Sequence, residues 1–463
     1  MIYEMLIPVF IIFLFLYIYN FYLLKTYKYC IVNDYHYDFN HCQSTSYLVN
    51  LQNSIINIPL VKINHAIFVK ITVHNNIISR WAPSEITISS NAPGLTKDSV
   101  TNTFEHAASG VRYLNISSLF TSLTEDRKDK ILNIETRHIF IKPQDITVIS
   151  IENRPLSDSK ILILAPHPDD AEIASFGLYK KYNQAHIVTI TGGDSGELKH
   201  TSTFKNNKKN FLNKGQIRTW NSLTVPLLAD VPFSNILNLG FFDNTLKEMY
   251  ENPTKIVAST HTHSADMNQF RKQNISELAN KISGESNWES LVNNLEVIIQ
   301  EIQPDIIITP HPEIDSHNDH KFTSIALFEA LKNSKHQSGE LFLYTNHHPL
   351  SKYYPYGQAT HVMTLPPNIE PTKGFYFNSI YSQDTPIDAQ KDKFIALEAM
   401  YDLRIETEWL SIIGSIKILS RAIKRKLIGD KTYFRRSIRS NELFFVVKIK
   451  NLTEIYKNAI RND

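Results

Sequence analysis

Two short stretches of this chain concentrate histidine and carboxylate side chains. The first is Pro166-His167-Pro168-Asp169-Asp170-Ala171-Glu172. The second, about 150 residues later, is Pro310-His311-Pro312-Glu313-Ile314-Asp315-Ser316-His317-Asn318-Asp319-His320. A catalytic zinc site takes three nitrogen or oxygen ligands and keeps one position for water. Each stretch holds more than one candidate, so a His/Asp/His set is available. Water held by such a metal ionises near pH 7; a further carboxylate can take its proton, and a further imidazole can protonate a leaving group. The plainer reading, that the aspartates only cap the helix that follows, accounts for either stretch alone but not for the pair.

The elements that must position these residues are legible around them. Ile161-Leu162-Ile163-Leu164-Ala165, His186-Ile187-Val188-Thr189-Ile190-Thr191 and Asp305-Ile306-Ile307-Ile308-Thr309 are continuous apolar runs, as strands covered on both faces require. Helical spacing separates them, with Leu295 to Ile302 as one such segment. Strand, helix, strand order predicts an α/β domain with a Rossmann-like, mostly parallel sheet and helices on both faces. In such sheets, sites form beyond the carboxyl ends of strands, and both His/Asp stretches begin there.

The combination of a strand followed by His167-Pro168-Asp169-Asp170 and a later His317-Asn318-Asp319-His320 resembles the PIG-L/LmbE family of zinc-dependent N-acetylglucosamine-type deacetylases. Weaker marks stand in the same order: Thr191-Gly192-Gly193-Asp194-Ser195-Gly196-Glu197 after the second strand, Gln216-Ile217-Arg218, Leu239-Gly240-Phe241-Phe242-Asp243-Asn244, Lys393-Phe394-Ile395-Ala396-Leu397 and Asn441-Glu442-Leu443-Phe444. The resemblance covers about residues 158 to 447. It implies His167, Asp170 and His320 as zinc ligands, with Fe²⁺ able to occupy the same set. It implies Asp169 as the general base, His317 as the group that polarises the amide oxygen or protonates the leaving amine, and Asp319 as the residue orienting His317. Arg218 and Asp243, with Asp194 and Glu197, would contact substrate hydroxyls or phosphate, and Asp315 would support a ligand from behind. One departure is Ala171, which separates the aspartates from Glu172.

Outside that region the pattern changes. Met5 to Leu24 is a 20-residue uncharged run, long enough at about 1.5 Å per residue to cross a hydrocarbon core of about 30 Å. It predicts a transmembrane anchor over residues 1–28. Lys25 and Lys28 follow the run and no basic residue precedes it, which places the chain downstream on the cytoplasmic face of a single-pass protein. Alternation in Val69-Lys70-Ile71-Thr72-Val73, Leu132-Asn133-Ile134-Glu135 and Ile146-Thr147-Val148, with breakers between, predicts a β-sandwich-like domain over 29–155. Its Trp81, Phe104 and Tyr113 are core aromatics or sugar-stacking faces. The deacetylase-like domain runs over 156–450 and a tail over 451–463. Between Ser411 and Arg439 nine basic residues and one acidic residue accompany apolar residues at helical spacing, an amphipathic helix suited to the protein core or to anionic headgroups and phosphate. His261 and His263 lie in a polar stretch (251–290) that reads as an insertion or lid, His347-His348 reads as solvated surface, and His311 is a second choice behind His320.

Composition narrows the rest. The chain has 463 residues, 42% hydrophobic and 20% charged, with a net charge of +2. That excludes a disordered chain and gives no global reason to expect nucleic acid. Two cysteines exclude a disulfide scaffold and a cysteine-built zinc site. The sequence therefore points to a membrane-anchored metal hydrolase acting on an N-acetylated amino sugar, lipid- or nucleotide-linked. A membrane-tethered glycan-binding protein with an inert α/β domain is the alternative.

Overall fold

The computed structural model describes residues 7–18, 33–58, 65–80, 82–89, 99–120, 130–198, 206–334, 336–351, 353–369, 376–404, 419–420 and 432–461. They form two compact units. One comprises Met1–Asp38, Ser44–Glu152 and His348–Gly374, and the other Phe39–Gln43, Asn153–His347 and Phe375–Asp463.

Among the described residues the first unit has nine strands: β1 (Ser44–Leu51), β2 (Ile55–Ile58), β3 (His65–Asn75), β4 (Ser84–Ser89), β5 (Ser99–Phe104), β6 (Gly110–Asn115), β7 (Lys130–Arg137), β8 (Ile139–Phe140) and β9 (Gln144–Glu152). One sheet runs β1-β9-β3-β6 with β8 on β3, and the other β2-β7-β4-β5; every named pairing is antiparallel. Alternation decides which side chains meet. Ile67, Val69, Ile71, Val73 and Val148 from one sheet share a core with Ile56, Ile58, Ile86, Ile88 and Leu132 from the other, while Lys70 points outward. Phe104 and Tyr113 are 1% and 2% exposed, so they are core residues and offer no face to a sugar; Trp81 lies outside the described residues. A buried Arg112–Glu105 ion pair sits in the same unit, with the Tyr35 hydroxyl donating to Glu105 at 2.7 Å. Residues 348–374, which the sequence reading puts in the α/β region, cluster here instead. The Val362 amide donates to the Thr101 carbonyl at 3.0 Å, so Val362 lies on the free edge of β5 and meets an unpaired backbone group there.

The second unit carries β10 (Ile161–Ala165), β11 (His186–Thr191), β12 (Ile236–Phe241), β13 (Ile306–Pro310), β14 (Glu340–Tyr344), β15 (Ser379–Asp384) and β16 (Asn441–Lys448). Their order is β12-β11-β10-β13-β14-β16-β15. The first five are parallel, and β16 is antiparallel to both of its neighbours, β14 and β15. All five residues of β10 and of β13 are buried, as continuous apolar strands demand. Chain order reverses at β10, with β11 on one side and β13 on the other, which opens a crevice at their carboxyl ends. With residues 7–18 taken as α1, the helices here include α2 (Asp170–Lys181), α3 (Asn207–Thr224), α4 (Leu246–Glu251), α5 (Asn268–Arg271), α6 (Trp288–Ile302), α7 (Asn318–Ser334) and α8 (Ile387–Ala399). In α6, Asn287 caps the start by accepting from the Ser290 amide, and Leu291, Leu295, Ile298, Ile299 and Ile302 form the buried stripe.

Helix α2 is interrupted at Ser175, whose φ of −143° and ψ of 18° are not helical. The break separates the Gly177 amide from its natural acceptor, the Ile173 carbonyl, and a buried ion pair bridges the gap. Glu442 of β16 accepts the Gly177 and Leu178 amides at 2.8 and 2.9 Å, and Lys393 of α8 donates to the Ile173 carbonyl at 2.9 Å. The two side chains meet at 2.8 Å, 1% and 2% exposed. The pair is a splint inserted into the helical ladder.

The anchor expected over Met5–Leu24 lies partly outside the described residues. Residues 7–18 are helical, and no helix among the described residues is long and apolar enough to cross a membrane. Most of the basic stretch, 411–418 and 421–431, also lies outside them.

Replacing Lys393 with Met should leave Glu442 as an uncompensated buried charge and lower unfolding stability by about 3–5 kcal/mol in denaturant titration. Adding Glu442→Leu should recover little, because the Ile173, Gly177 and Leu178 backbone groups lose their partners as well. Full recovery in the double variant would show that the splint is not needed.

Candidate metal centre

Five loops at the carboxyl edge of the sheet supply the polar side chains. After β10, a tight turn in which the Asp169 and Asp170 amides both donate to the His167 carbonyl (2.8 and 3.2 Å) leads into α2. Asp169 is the N-cap residue by position, yet its side chain makes no capping bond, so its carboxylate remains available to the crevice. After β13, the loop ends in α7, whose first turn carries Asp319 and His320. Loops after β11, β12 and β14 bring Asp194 and Ser195, Asp243 and Asn244, and Asn346 and His347.

His167, Asp170 and His320 converge. Asp170 Oδ2 lies 3.1 Å from His167 Nδ1 and 3.0 Å from His320 Nε2, and the two nitrogens are 3.3 Å apart. An ion held tetrahedrally at about 2.0–2.1 Å separates its donor atoms by about 3.3 Å, so these three side chains fit one zinc-sized cation. All three are buried, at 7%, 2% and 0% exposure. The opposite edge of each imidazole meets a carboxylate, as ligating histidines generally do. His320 Nδ1 is 3.0 Å from Asp315 Oδ2. His167 Nε2 is 3.1 Å from Asp243 Oδ1 and 3.2 Å from Asp319 Oδ2. The third position is braced by Asn346, whose amide donates to Asp170 Oδ1 at 2.8 Å.

The electrostatics match a cation site. Burial opposes charge on His320, yet Asp170 and Asp315 push its pKa up to about 10. His167 is likewise raised against burial by Asp243, Asp170 and Asp319. Asp170, despite burial, is held well below the usual carboxylate range by His320 and His167. The surrounding carboxylates favour positive charge between the two rings, and a divalent ion supplies it with the imidazoles neutral.

Asp169 and His317 flank this triangle. Burial pushes Asp169 up to about 6, against the pull of Arg218, whose Nη2 is 3.2 Å from its Oδ1. The His317 ring lies 4.8 Å from that of His167 and 5.0 Å from that of His320. Burial, His167 and His320 hold its pKa below the ordinary value. Its Nδ1 accepts from the Asp319 amide at 3.2 Å, so the neutral ring carries its proton on Nε2. The Asp319 contact that orients His317 is therefore the backbone amide. The Asp319 carboxylate instead meets His167 and the amides of Asn244 (2.6 Å) and Leu246 (3.3 Å).

The residues expected to touch substrate are differently placed. Arg218 is buried and engages Asp169, the Gly193 carbonyl at 3.1 Å and Asp402 at 3.2 Å. Asp243 binds His167 and accepts the Ser195 amide at 3.3 Å. Asp194 accepts the Asp243 amide at 2.9 Å and the Ser259 hydroxyl at 2.6 Å. The Glu197 side chain is exposed, and its backbone carbonyl accepts from Lys214 at 3.0 Å. Three of the four thus brace the site. His311 is fully buried, and burial pushes it down to about 3; it joins no candidate ligand cluster. Of the pair read from sequence as solvated surface, His348 is buried, at 4% exposure; His347 is exposed, yet its ring lies 4.9 Å from that of His320 and it joins Asp170 and His320 in a possible ligand group. It and Asn346 follow β14, another parallel strand of the sheet, and the carboxyl-end rule applied to that strand would have found them.

With both ligating imidazoles raised, zinc binding at pH 7 should release about one to two protons per ion. Calorimetric titration in buffers of different ionisation heat reads this directly. The apparent affinity should fall from pH 9 to pH 6 as the rings hold their protons; an affinity flat across that range would exclude His167 and His320 as ligands.

A PIG-L family model, described as GlcNAc-PI de-N-acetylase, matches residues 162–331. No curated protein sequence matches. Among solved structures, the chain is similar to N,N'-diacetylchitobiose deacetylase from Pyrococcus horikoshii, at 18% identity over 64% of this chain and 87% of that one, with a TM-score of 0.33. Teicoplanin deacetylase Orf2, in a zinc-inhibited form, matches at 14% identity over 63% of this chain and 98% of that one, with a TM-score of 0.33. GalB, the 4-carboxy-2-hydroxymuconate hydratase from Pseudomonas putida KT2440, matches at 10% identity over 62% and 96%, with a TM-score of 0.34. Residues 162–331, which hold the whole His167/Asp170/His320 triangle and its flanking Asp169 and His317, are a domain of the PIG-L family.

Proposed function

We propose that this chain hydrolyses the N-acetyl group of an amino sugar with a divalent cation, zinc first and iron second, held by His167, Asp170 and His320. The observation that carries this reading is the donor triangle of 3.0–3.3 Å edges, with an uncapped carboxylate, Asp169, and a proton-bearing imidazole, His317, at its margin. When bound, the ion supplies Lewis acidity to the water and the amide oxygen. Asp169 takes the proton from the attacking water as its oxygen bonds to the acetyl carbon. Arg218 keeps that carboxylate pointed into the crevice. His317 offers Nε2–H to the amide oxygen as negative charge develops there. The C–N bond then breaks, the proton held by Asp169 passes to the departing nitrogen, and acetate and a free amine result. Asp243, Asp315 and Asp319 fix the two ligating rings from behind.

The substrate class is an N-acetylglucosaminyl conjugate, lipid-linked in the first instance. Support for a membrane location is the uncharged run Met5–Leu24, within which the residues 7–18 are all exposed; in water an apolar face of that size is unfavourable. The single-pass arrangement with a cytoplasmic catalytic unit follows from Lys25 and Lys28.

Acetate release from a panel of N-acetylated sugars and glycolipids, with and without chelator, tests the activity. Asp169→Asn should keep bound metal and lose about 10²–10⁴ in kcat; near-full turnover in that variant would remove Asp169 from the base role.

A further inference from the structure

Three of the four side chains first expected to hold substrate are buried and engaged within the protein, which leaves open what recognises the sugar. The chain of contacts that leads outward from His167 ends in the segment that follows α4. His167 Nε2 contacts Asp243 at 3.1 Å, Asp243 Oδ2 accepts the Ser195 amide at 3.3 Å, and the Ser195 hydroxyl lies 3.2 Å from His261 Nε2. Asn244 fixes the same hydroxyl, donating from Nδ2 at 2.9 Å. The His261 ring stacks flat on Phe211 of α3, centroids 3.8 Å apart and planes 5° from parallel. Both rings are half-buried, and His261 Nδ1 has no protein partner among the described residues.

The segment is firmly seated. Ser259 donates to Asp194, and its hydroxyl oxygen lies 3.4 and 3.2 Å from the His261 and Thr262 amides. Phe270, fully buried, occupies the space above Gly192 and Gly215, where an added Cβ would meet its ring at 2.6 and 2.5 Å. A rotationally fixed, half-exposed imidazole with one unengaged nitrogen is a ready partner for a ligand hydroxyl.

We propose that His261, held in plane by Phe211 and Ser195, is a substrate-contacting specificity residue that hydrogen-bonds a ring hydroxyl of the amino sugar through Nδ1. This rests on the deacetylase reading above for the identity of the ligand, and on the stacked pair alone for the place. A residue that binds ground state and transition state alike changes KM and spares kcat.

The test uses the full-length, zinc-loaded protein and N-acetylglucosamine as probe, with acetate release and calorimetric binding measured in parallel. His261→Ala should raise KM and the dissociation constant roughly tenfold, the loss expected of one hydrogen bond, with kcat within about twofold and zinc content unchanged. Phe211→Ala should move both in the same direction by about threefold. His261→Asn, which keeps a polar atom at the Nδ1 position, should restore most of the affinity. Unchanged KM and binding in His261→Ala alongside normal turnover would overturn the proposal while the deacetylase reading stands. Binding that is lost in His261→Ala, in a protein that releases no acetate, would overturn the deacetylase reading and support the sugar contact. Absence of binding in the unsubstituted protein would overturn both.

Discussion

Two imidazole nitrogens and a carboxylate oxygen within 3.3 Å of one another are stable in a buried site only if positive charge lies among them. That constraint organises the second unit. Four further aspartates crowd the same few ångströms. Asp243, Asp315 and Asp319 face the far edges of the ligating rings, and Asp169 faces the open side. Their combined field favours a cation at the centre, and burial strengthens that field by lowering the local dielectric. Backbone amides of Asn244, Leu246, Ser195, Asn346 and His347 are aimed at these same carboxylates. Asp243, Asp315 and Asp319 thus accept from neutral backbone donors, whereas Asp169 is paired with Arg218.

Positioning comes from the parallel sheet. Strand β10 sits where chain order reverses, so loops from both flanks of the sheet reach the same crevice. The turn after β10 must deliver His167, Asp169 and Asp170 in three directions, and the helix that follows must then pack on the sheet. These demands conflict within one straight helix, and the break at Ser175 accommodates them. Lys393 and Glu442, from elements far along the chain, complete the hydrogen bonds that the break leaves open. An ion pair with no contact to the metal site thereby sets the direction of the helix that bears Asp170.

The segment after α4 shows how an insertion becomes part of a site. Its composition is polar and its periodicity weak, yet Phe270 anchors it against two glycines of the domain beneath. Ser259 and His261 then extend the network that begins at His167. Asp194 and Asp243, whose motif positions suggested ligand contact, instead hold this segment and the ligating ring in place.

From the linear chain alone, the apolar runs at 161–165, 186–191 and 305–309 established buried parallel strands. Periodicity of two marked the sheets of the first unit, and the HPDD and HxDH stretches held the three side chains that converge, His167, Asp170 and His320. These are local signals, since a period or a short motif is written in consecutive residues. Folding decided what consecutive residues do not encode. It turned the Asp319 carboxylate to His167 and left His317 to a backbone amide. It set the exposed His347 beside His320, it buried His348, and it buried Arg218 among aspartates of three different segments. It also set Val362 on the edge of β5, where unpaired backbone groups needed partners. Each of these outcomes depends on which long-range hydrogen bonds and charges come within about 3 Å, and that distance is set by packing across the sheet rather than by spacing along the chain.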